Sequence, residues 1–183
     1  PTFSMLSFIA ALEPLRVANR LAGRNLYGWQ IVSKDGTPVP ASNGMTQAAD
    51  AAMTEVERAS VMIVVGPFEP TAYQDPQVFA WLRRLGRHGT KLGGLCTGAH
   101  LLARAGLLDG RRCTVHWENI TGFAHAFPEI ELSEELYQID QGRFTAPGGM
   151  ASLDVMLALI AHDHGQALAA EVSENLLVER MRA

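Results

Sequence analysis

Gly94-Leu95-Cys96-Thr97-Gly98 is the stretch whose residue types and spacing point most directly to chemistry. The apolar run Lys91–Leu95 reads as a short buried strand, and a helical pattern opens near residue 98. Cys96 therefore falls on the turn between them. This is the spacing of a nucleophile elbow, with cysteine where serine is usual. Glycine on both sides permits a crowded turn, and a helix N-terminus aimed at the sulfur favours thiolate. A small cysteine packed under a helix is the alternative that the same residues allow.

His116 follows the next strand and would reach the same sheet edge, where ligand sites of open α/β sheets collect. There it either partners the thiol or caps its strand. Trp117 and Glu118 come directly after it, and Glu69 lies in the loop after the apolar run 60–65. An aromatic ring with carboxylates at a pocket edge suits a cationic ligand, although Trp117 fits a core position at least as well. His162-Asp163-His164 sits at a helix end with no further ligands spaced to match, so no metal is expected. Cys113 is expected to pack within a strand, and Arg83-Arg84 and Arg111-Arg112 to face solvent.

The elements that must position these residues alternate between strand and helix. Residues 4–22 have helical spacing, with Ser4 as N-cap and Gly23 as stop; Pro14 is expected to kink or restart the helix. Strands are expected at 28–33, 60–65, 91–95 and 112–115, and as a pair at 136–139 and 143–146. The 60–65 run should be buried on both faces. Residues 38–50 read as loop around Ser42-Asn43-Gly44, and helices are expected at 76–87, 98–108, 117–126, 151–163 and 167–182. That alternation means an α/β domain with a mostly parallel sheet.

At 183 residues this is about one domain, with 48% hydrophobic and 19% charged residues, a globular balance. No apolar run approaches the roughly 20 residues needed to span a bilayer, and no signal peptide opens the chain. A net charge of −4 argues against this segment gripping DNA or an anionic membrane by itself. Two cysteines suit a reducing cytoplasm. A start at Pro1 suggests a fragment or a processed chain.

The stretch Gly93–Ala99, then Gly106-Leu107-Leu108-Asp109-Gly110-Arg111-Arg112 and Thr114-Val115-His116-Trp117, resembles the ThiJ/PfpI superfamily, a branch of the class I glutamine amidotransferase-like fold. With Phe3-Ser4-Met5-Leu6, Leu12–Arg16, Ala18–Leu21, Ser42-Asn43-Gly44, Phe144–Gly149 and Leu153-Asp154, it is similar to the sensory half of AraC-type regulators. The likeness runs from residue 3 to about residue 182. It implies a three-layer α/β/α sandwich, flavodoxin-like, acting as an effector-sensing domain. Regulators of this kind respond to glycine betaine, carnitine or arginine, so the implied effector is amino-acid-like or a quaternary amine. A homodimer is expected, with helix 167–182 as part of the interface. DNA would be met only through a helix-turn-helix domain after residue 183, and no cofactor, metal or membrane contact is expected.

The expected ligand site has Cys96, Thr97 and His116 in its wall, Trp117 and Glu118 as contacts, Glu13 approaching from the first helix, and Gly66-Pro67 beside the elbow. Cys96 and His116 are read as vestigial, for two reasons. Catalytic members carry an acid four residues before the proline of the first helix, where this chain has Ala10. They also have a glycine-rich turn for the oxyanion hole, where this chain has Gly66-Pro67, and proline offers no N–H. The superfamily's first strand would also precede Phe3. The competing readings are a cysteine-dependent hydrolase, amidase or glyoxalase-like enzyme, and a purely structural dimerisation module.

Overall fold

The computed structural model describes residues 2–178. Helix α1 (Met5–Ala22) starts where the Ser4 hydroxyl accepts the Ser7 N–H, at 3.3 Å. It ends at Gly23, whose left-handed backbone (φ 63°) lets its N–H donate to the Arg20 carbonyl. Pro14 lies buried inside α1, which runs through it as one helix instead of restarting. Of the expected strand 28–33 only β1 (Val32–Ser33) forms. Residues 38–50 are not simply loop. β2 (Val39–Pro40) and β3 (Thr46–Gln47) make an antiparallel hairpin around the Ser42-Asn43-Gly44 turn, and β4 (Ala51–Ala52) pairs parallel with β1.

The central sheet contains β5 (Val61–Val65), β6 (Lys91–Leu95), β9 (Gln138–Asp140) and β10 (Arg143–Ala146), in the order β5-β6-β10-β9. β5, β6 and β10 are parallel, and β9 is antiparallel to β10. β5 was expected to be buried on both faces, but it lies at the sheet edge and Val61 is 42% exposed. The short strands β7 (Arg112–Cys113) and β8 (Glu131–Leu132) pair parallel beside this sheet.

Helices cover both faces. On one lie α2 (Pro76–Arg87), α3 (Gly98–Arg104) and α4 (Ile120–Ala126). Leu82, Leu85, Leu92, Leu102 and Phe123 are buried there as one core. Asp75 starts α2 by accepting the Gln77 and Val78 N–H groups, with Pro76 in the first helical position. On the other face α1 packs on α5 (Ala151–His164) and α6 (Gln166–Asn175), burying Val17, Leu157, Ile160 and Val172. The three-layer α/β/α, flavodoxin-like sandwich is therefore present. α3 stops short of residue 108, at Gly106 (φ 68°), and residues 117–119 form a separate 3-10 turn ahead of α4. Ala169 and Val172 of α6 pack inward, so these positions of the expected interface helix are occupied within the domain. Its residues 179–182 lie outside the described residues.

One cross-strand contact within the sheet is especially tight. A Cβ at Gly93 would sit within the van der Waals envelope of the Phe144 ring on β10, and Phe144 is itself buried. Gly93→Ala should therefore destabilise the fold by about 1–3 kcal/mol through overpacking. Urea denaturation measures this, and an unchanged midpoint would contradict the packing.

Candidate functional site

The register of the sheet builds the site. Val65 and Ala146 both pair with Leu95, so three parallel strands end level and Gly66, Cys96 and Pro147 emerge side by side. Cys96 sits there in the left-handed region, φ 55°, a conformation that strains a residue with a Cβ. Two contacts hold it. Its N–H donates to the Ala146 carbonyl at 3.1 Å, and the adjacent Thr97 hydroxyl donates to the Pro67 carbonyl. The strand–turn–helix elbow is present, with Cys96 half-buried on it.

Its electrostatics run against the expectation from the helix N-terminus. Burial pushes the Cys96 thiol above the ordinary thiol range, outweighing backbone and side-chain hydrogen bonds from Thr97 that favour thiolate. α3 is only seven residues long, and desolvation of the half-buried sulfur dominates. Cys113 is more extreme: it is fully buried, and its thiol is pushed up to about 12.

Not every expected partner reaches the sulfur. His116 Nδ1 accepts the Glu118 N–H at 3.3 Å and lies 3.6 Å from the Glu118 carboxylate, and no hydrogen bond joins it to Cys96 among the described residues. It caps the 3-10 turn 117–119 that follows it, and not the strand before it as the alternative reading had it. Trp117 is 72% exposed and leans on the His116 ring at 5.5 Å, so it is not a core residue. Glu118 is exposed as well. Glu13 is gripped by Arg16 through contacts of 2.7–3.0 Å, and that hydrogen bonding holds its carboxyl below the usual range. Among the described residues it makes no hydrogen bond or ion pair to the elbow. Ala10 is buried between α1, α5 and α6.

Gly66 and Pro67 do adjoin the elbow: a Cβ at Gly66 would collide with the Thr97–Gly98 peptide. The Gly66 N–H is engaged with the Leu95 carbonyl at 3.3 Å, and Pro67 has no N–H. Neither supplies a free oxyanion donor. The structure thus unites Cys96, Thr97, Gly66 and Pro67, and leaves His116 and Glu13 with other partners.

Two features escaped the sequence. The first is Ser7, one turn into α1. A Cβ at Gly148 (φ 104°) would lie 3.0 Å from the Ser7 hydroxyl and equally near Cys96 Cα and Cβ, and the same hydroxyl accepts the Gly149 N–H at 2.9 Å. Serine, not an acid, is therefore what α1 places beside the elbow. The second is a cleft of about 300 Å³ between the loop 68–71, α3 and α4. His100 and Phe123 line it from inside, their rings edge to face at 4.9 Å; Phe68, Glu69 and Glu118 line it from the exposed side. His100 is 6% exposed, and its Nδ1 has no hydrogen-bond partner among the described residues. Desolvation, helped by the Arg104 charge, pulls the ring down to about 4, so it is neutral at pH 7. No spacing in the sequence marked Ser7 or His100, since their placement depends on elements far apart in the chain, whereas Glu69 and Glu118, expected as carboxylates at a pocket edge, do line this cleft.

Residues 8–162 match the DJ-1/PfpI family. The chain belongs to that family. Within it, the chain is 48% identical over 182 residues to the HTH-type transcriptional regulator CdhR of Pseudomonas aeruginosa, covering all of this chain and 54% of that protein. It is 42% identical over 180 residues to the HTH-type transcriptional regulator GbdR of the same species, covering 98% of this chain and 49% of that protein. The chain thus spans about half the length of the curated relatives it matches. The crystal structure of an AraC family transcriptional regulator from Pseudomonas putida superposes with a TM-score of 0.87 at 29% identity, over 95% of this chain and 94% of the other. A DJ-1/PfpI relative of another kind, an isonitrile hydratase of Pseudomonas putida, is 28% identical over 134 residues, covering 70% of this chain and 56% of that protein. No helix among the described residues is long and apolar enough to cross a membrane.

Two outcomes follow from the titrating groups. Iodoacetamide should alkylate Cys96 before Cys113, at a rate that climbs through and beyond pH 9 with no reactive plateau near neutrality, because both thiols are pushed upward. Mass spectrometry of the labelled peptides reads both. For His100 the folded value, about 4, lies below the ordinary 6.5. Its contribution to stability is therefore full above about pH 6.5 and is lost as pH falls toward 4, on the order of 2–3 kcal/mol. Urea midpoints between pH 7 and 4 should fall less steeply in His100→Phe than in the wild type.

Proposed function

We propose that the chain is the effector-sensing and dimerisation domain of an AraC-type transcriptional regulator, acting in the cytoplasm on a small amino-acid-like or quaternary-amine metabolite. The observation that carries this reading is the match of the whole chain to CdhR, named an HTH-type transcriptional regulator, of which it covers 54%. In this reading DNA is met by a separate helix-turn-helix domain. The net charge of −4 supports that division, since phosphate binding needs a cluster of lysines and arginines. Paired DNA half-sites favour a two-fold protein, which supports a homodimer.

The site chemistry supports sensing over turnover. A cysteine nucleophile needs a base or a lowered pKa, and the tetrahedral intermediate needs donors aimed at its oxyanion. Here burial pushes the thiol up, His116 faces Glu118, and the Gly66 N–H is engaged with Leu95. The enzyme reading keeps one observation in its favour, the intact elbow shared with a family that includes an isonitrile hydratase.

Four measurements test the proposal. A thermal-shift panel of amino acids and quaternary amines should raise the melting temperature with at least one member, by mass action on the native state. Esters, amides, isonitriles and methylglyoxal should show no turnover above background; a turnover that vanishes in Cys96→Ala would establish the enzyme reading. Sedimentation should give a dimer, and gel shifts with the chain alone should show no sequence-specific DNA binding.

A further inference from the structure

The cleft behind the elbow has an ordered charge arrangement. His100 and Arg104 lie four residues apart on α3 and so share a helix face. Arg104 is fixed in place, donating to the Thr71 carbonyl and to the Tyr73 carbonyl at 2.9 Å each. Its positive charge stands close enough to His100 to oppose protonation of the ring. The α3 wall of the cleft thus carries a positive charge, half-buried at Arg104, beside a buried neutral imidazole whose Nδ1 has no hydrogen-bond partner among the described residues. Toward solvent the sign reverses. Glu69 and Glu118 are both exposed at the rim, and the Phe68 ring, 52% exposed, stands beside them.

We infer that this cleft, and not the sulfur of Cys96, binds a zwitterion of the amino-acid or betaine class, its carboxylate directed inward to His100 and Arg104 and its ammonium outward between Glu69 and Glu118. The inference rests on the sensor reading above and gives it a location. A neutral imidazole donates one N–H to a carboxylate without the repulsion a second cation would meet beside Arg104. The ammonium gains from two carboxylates and from the face of Phe68, as organic cations do in aromatic cages. A bare anion would meet the rim carboxylates, and a bare cation would leave the α3 wall unmatched. A volume of about 300 Å³ is ample for a molecule of this size.

The test is isothermal titration of the protein with glycine betaine, L-carnitine and L-arginine, alongside tetramethylammonium and acetate as half-charged controls. At least one zwitterion should bind, and both controls should bind at least about tenfold more weakly. Glu69→Gln and His100→Phe should each weaken the zwitterion about tenfold or more, as loss of a hydrogen bond or ion pair to a charged group does. Cys96→Ala should bind within about twofold of wild type. Glu69 lies on the exposed rim, so its variant keeps the test decisive even where His100→Phe fails to fold. Binding lost in Cys96→Ala and kept in Glu69→Gln moves the ligand to the elbow; it overturns the inference and leaves the sensor reading standing. Equal binding of tetramethylammonium or acetate overturns the zwitterion class. Binding by none of the three zwitterions overturns the inference, and if Cys96-dependent turnover accompanies it the sensor reading falls as well.

Discussion

The approach of Gly66 to the Thr97–Gly98 peptide is closer than any side chain would permit, and the elbow is arranged around it. Three parallel strands end level, so three chain segments must leave the sheet through the same small volume. Only backbone fits between them. A Cβ at Gly94 would lie 2.7 Å from the Ala99 N, and one at Gly98 would strike the Val64 carbonyl. The side chains that remain are those that can turn outward, which leaves Cys96 in its left-handed conformation. A non-glycine residue there costs about 1–2 kcal/mol, and the Cys96–Ala146 and Thr97–Pro67 hydrogen bonds offset it.

The same crowding explains why an intact elbow need not be reactive. Glycines that admit the close approach also bring the Gly66 N–H onto the Leu95 carbonyl, where it completes the sheet instead of facing an oxyanion. The sulfur is half-buried among these segments, and desolvation of a thiolate outweighs the pull of a two-turn helix. Shape and reactivity are separable here because the shape comes from backbone packing, whereas the reactivity would come from His116 and an acid on α1. His116 is bonded to its own turn, and α1 presents Ser7 near the elbow.

Much of this was legible in the sequence wherever the signal was local. Ser4 and Gly23 mark the ends of α1, Asp75-Pro76 mark the start of α2, and the glycines around Cys96 mark the elbow, because caps and tight turns depend on residues only a few positions apart. Errors fell where the outcome depends on distant partners. The apolar run of β5 gives no sign of which strands flank it, and its edge position leaves Val61 exposed. The 39–47 hairpin has two residues per strand and no alternation to read. The side-chain direction of His116 was likewise out of reach, since both candidate partners lie at the same sheet edge and only the turn 117–119 decides between them.

The loop after β5 links the elbow to the His100 cleft. At one end Pro67 is tied to Thr97, at the head of α3; at the other Thr71 and Tyr73 are tied to Arg104, at its foot. Loop and helix therefore act as one body, with the elbow on one side and the His100 cleft on the other. α4 meets that body through Phe123, whose ring packs against His100 and against Phe127. On its other side α3 is packed into the core through Leu101 and Leu102. The 3-10 turn 117–119 leads directly into α4 and carries the exposed Trp117 and Glu118. The His100 cleft thus lies between a loop and helix that brace each other and a helix, α4, that continues from this exposed turn.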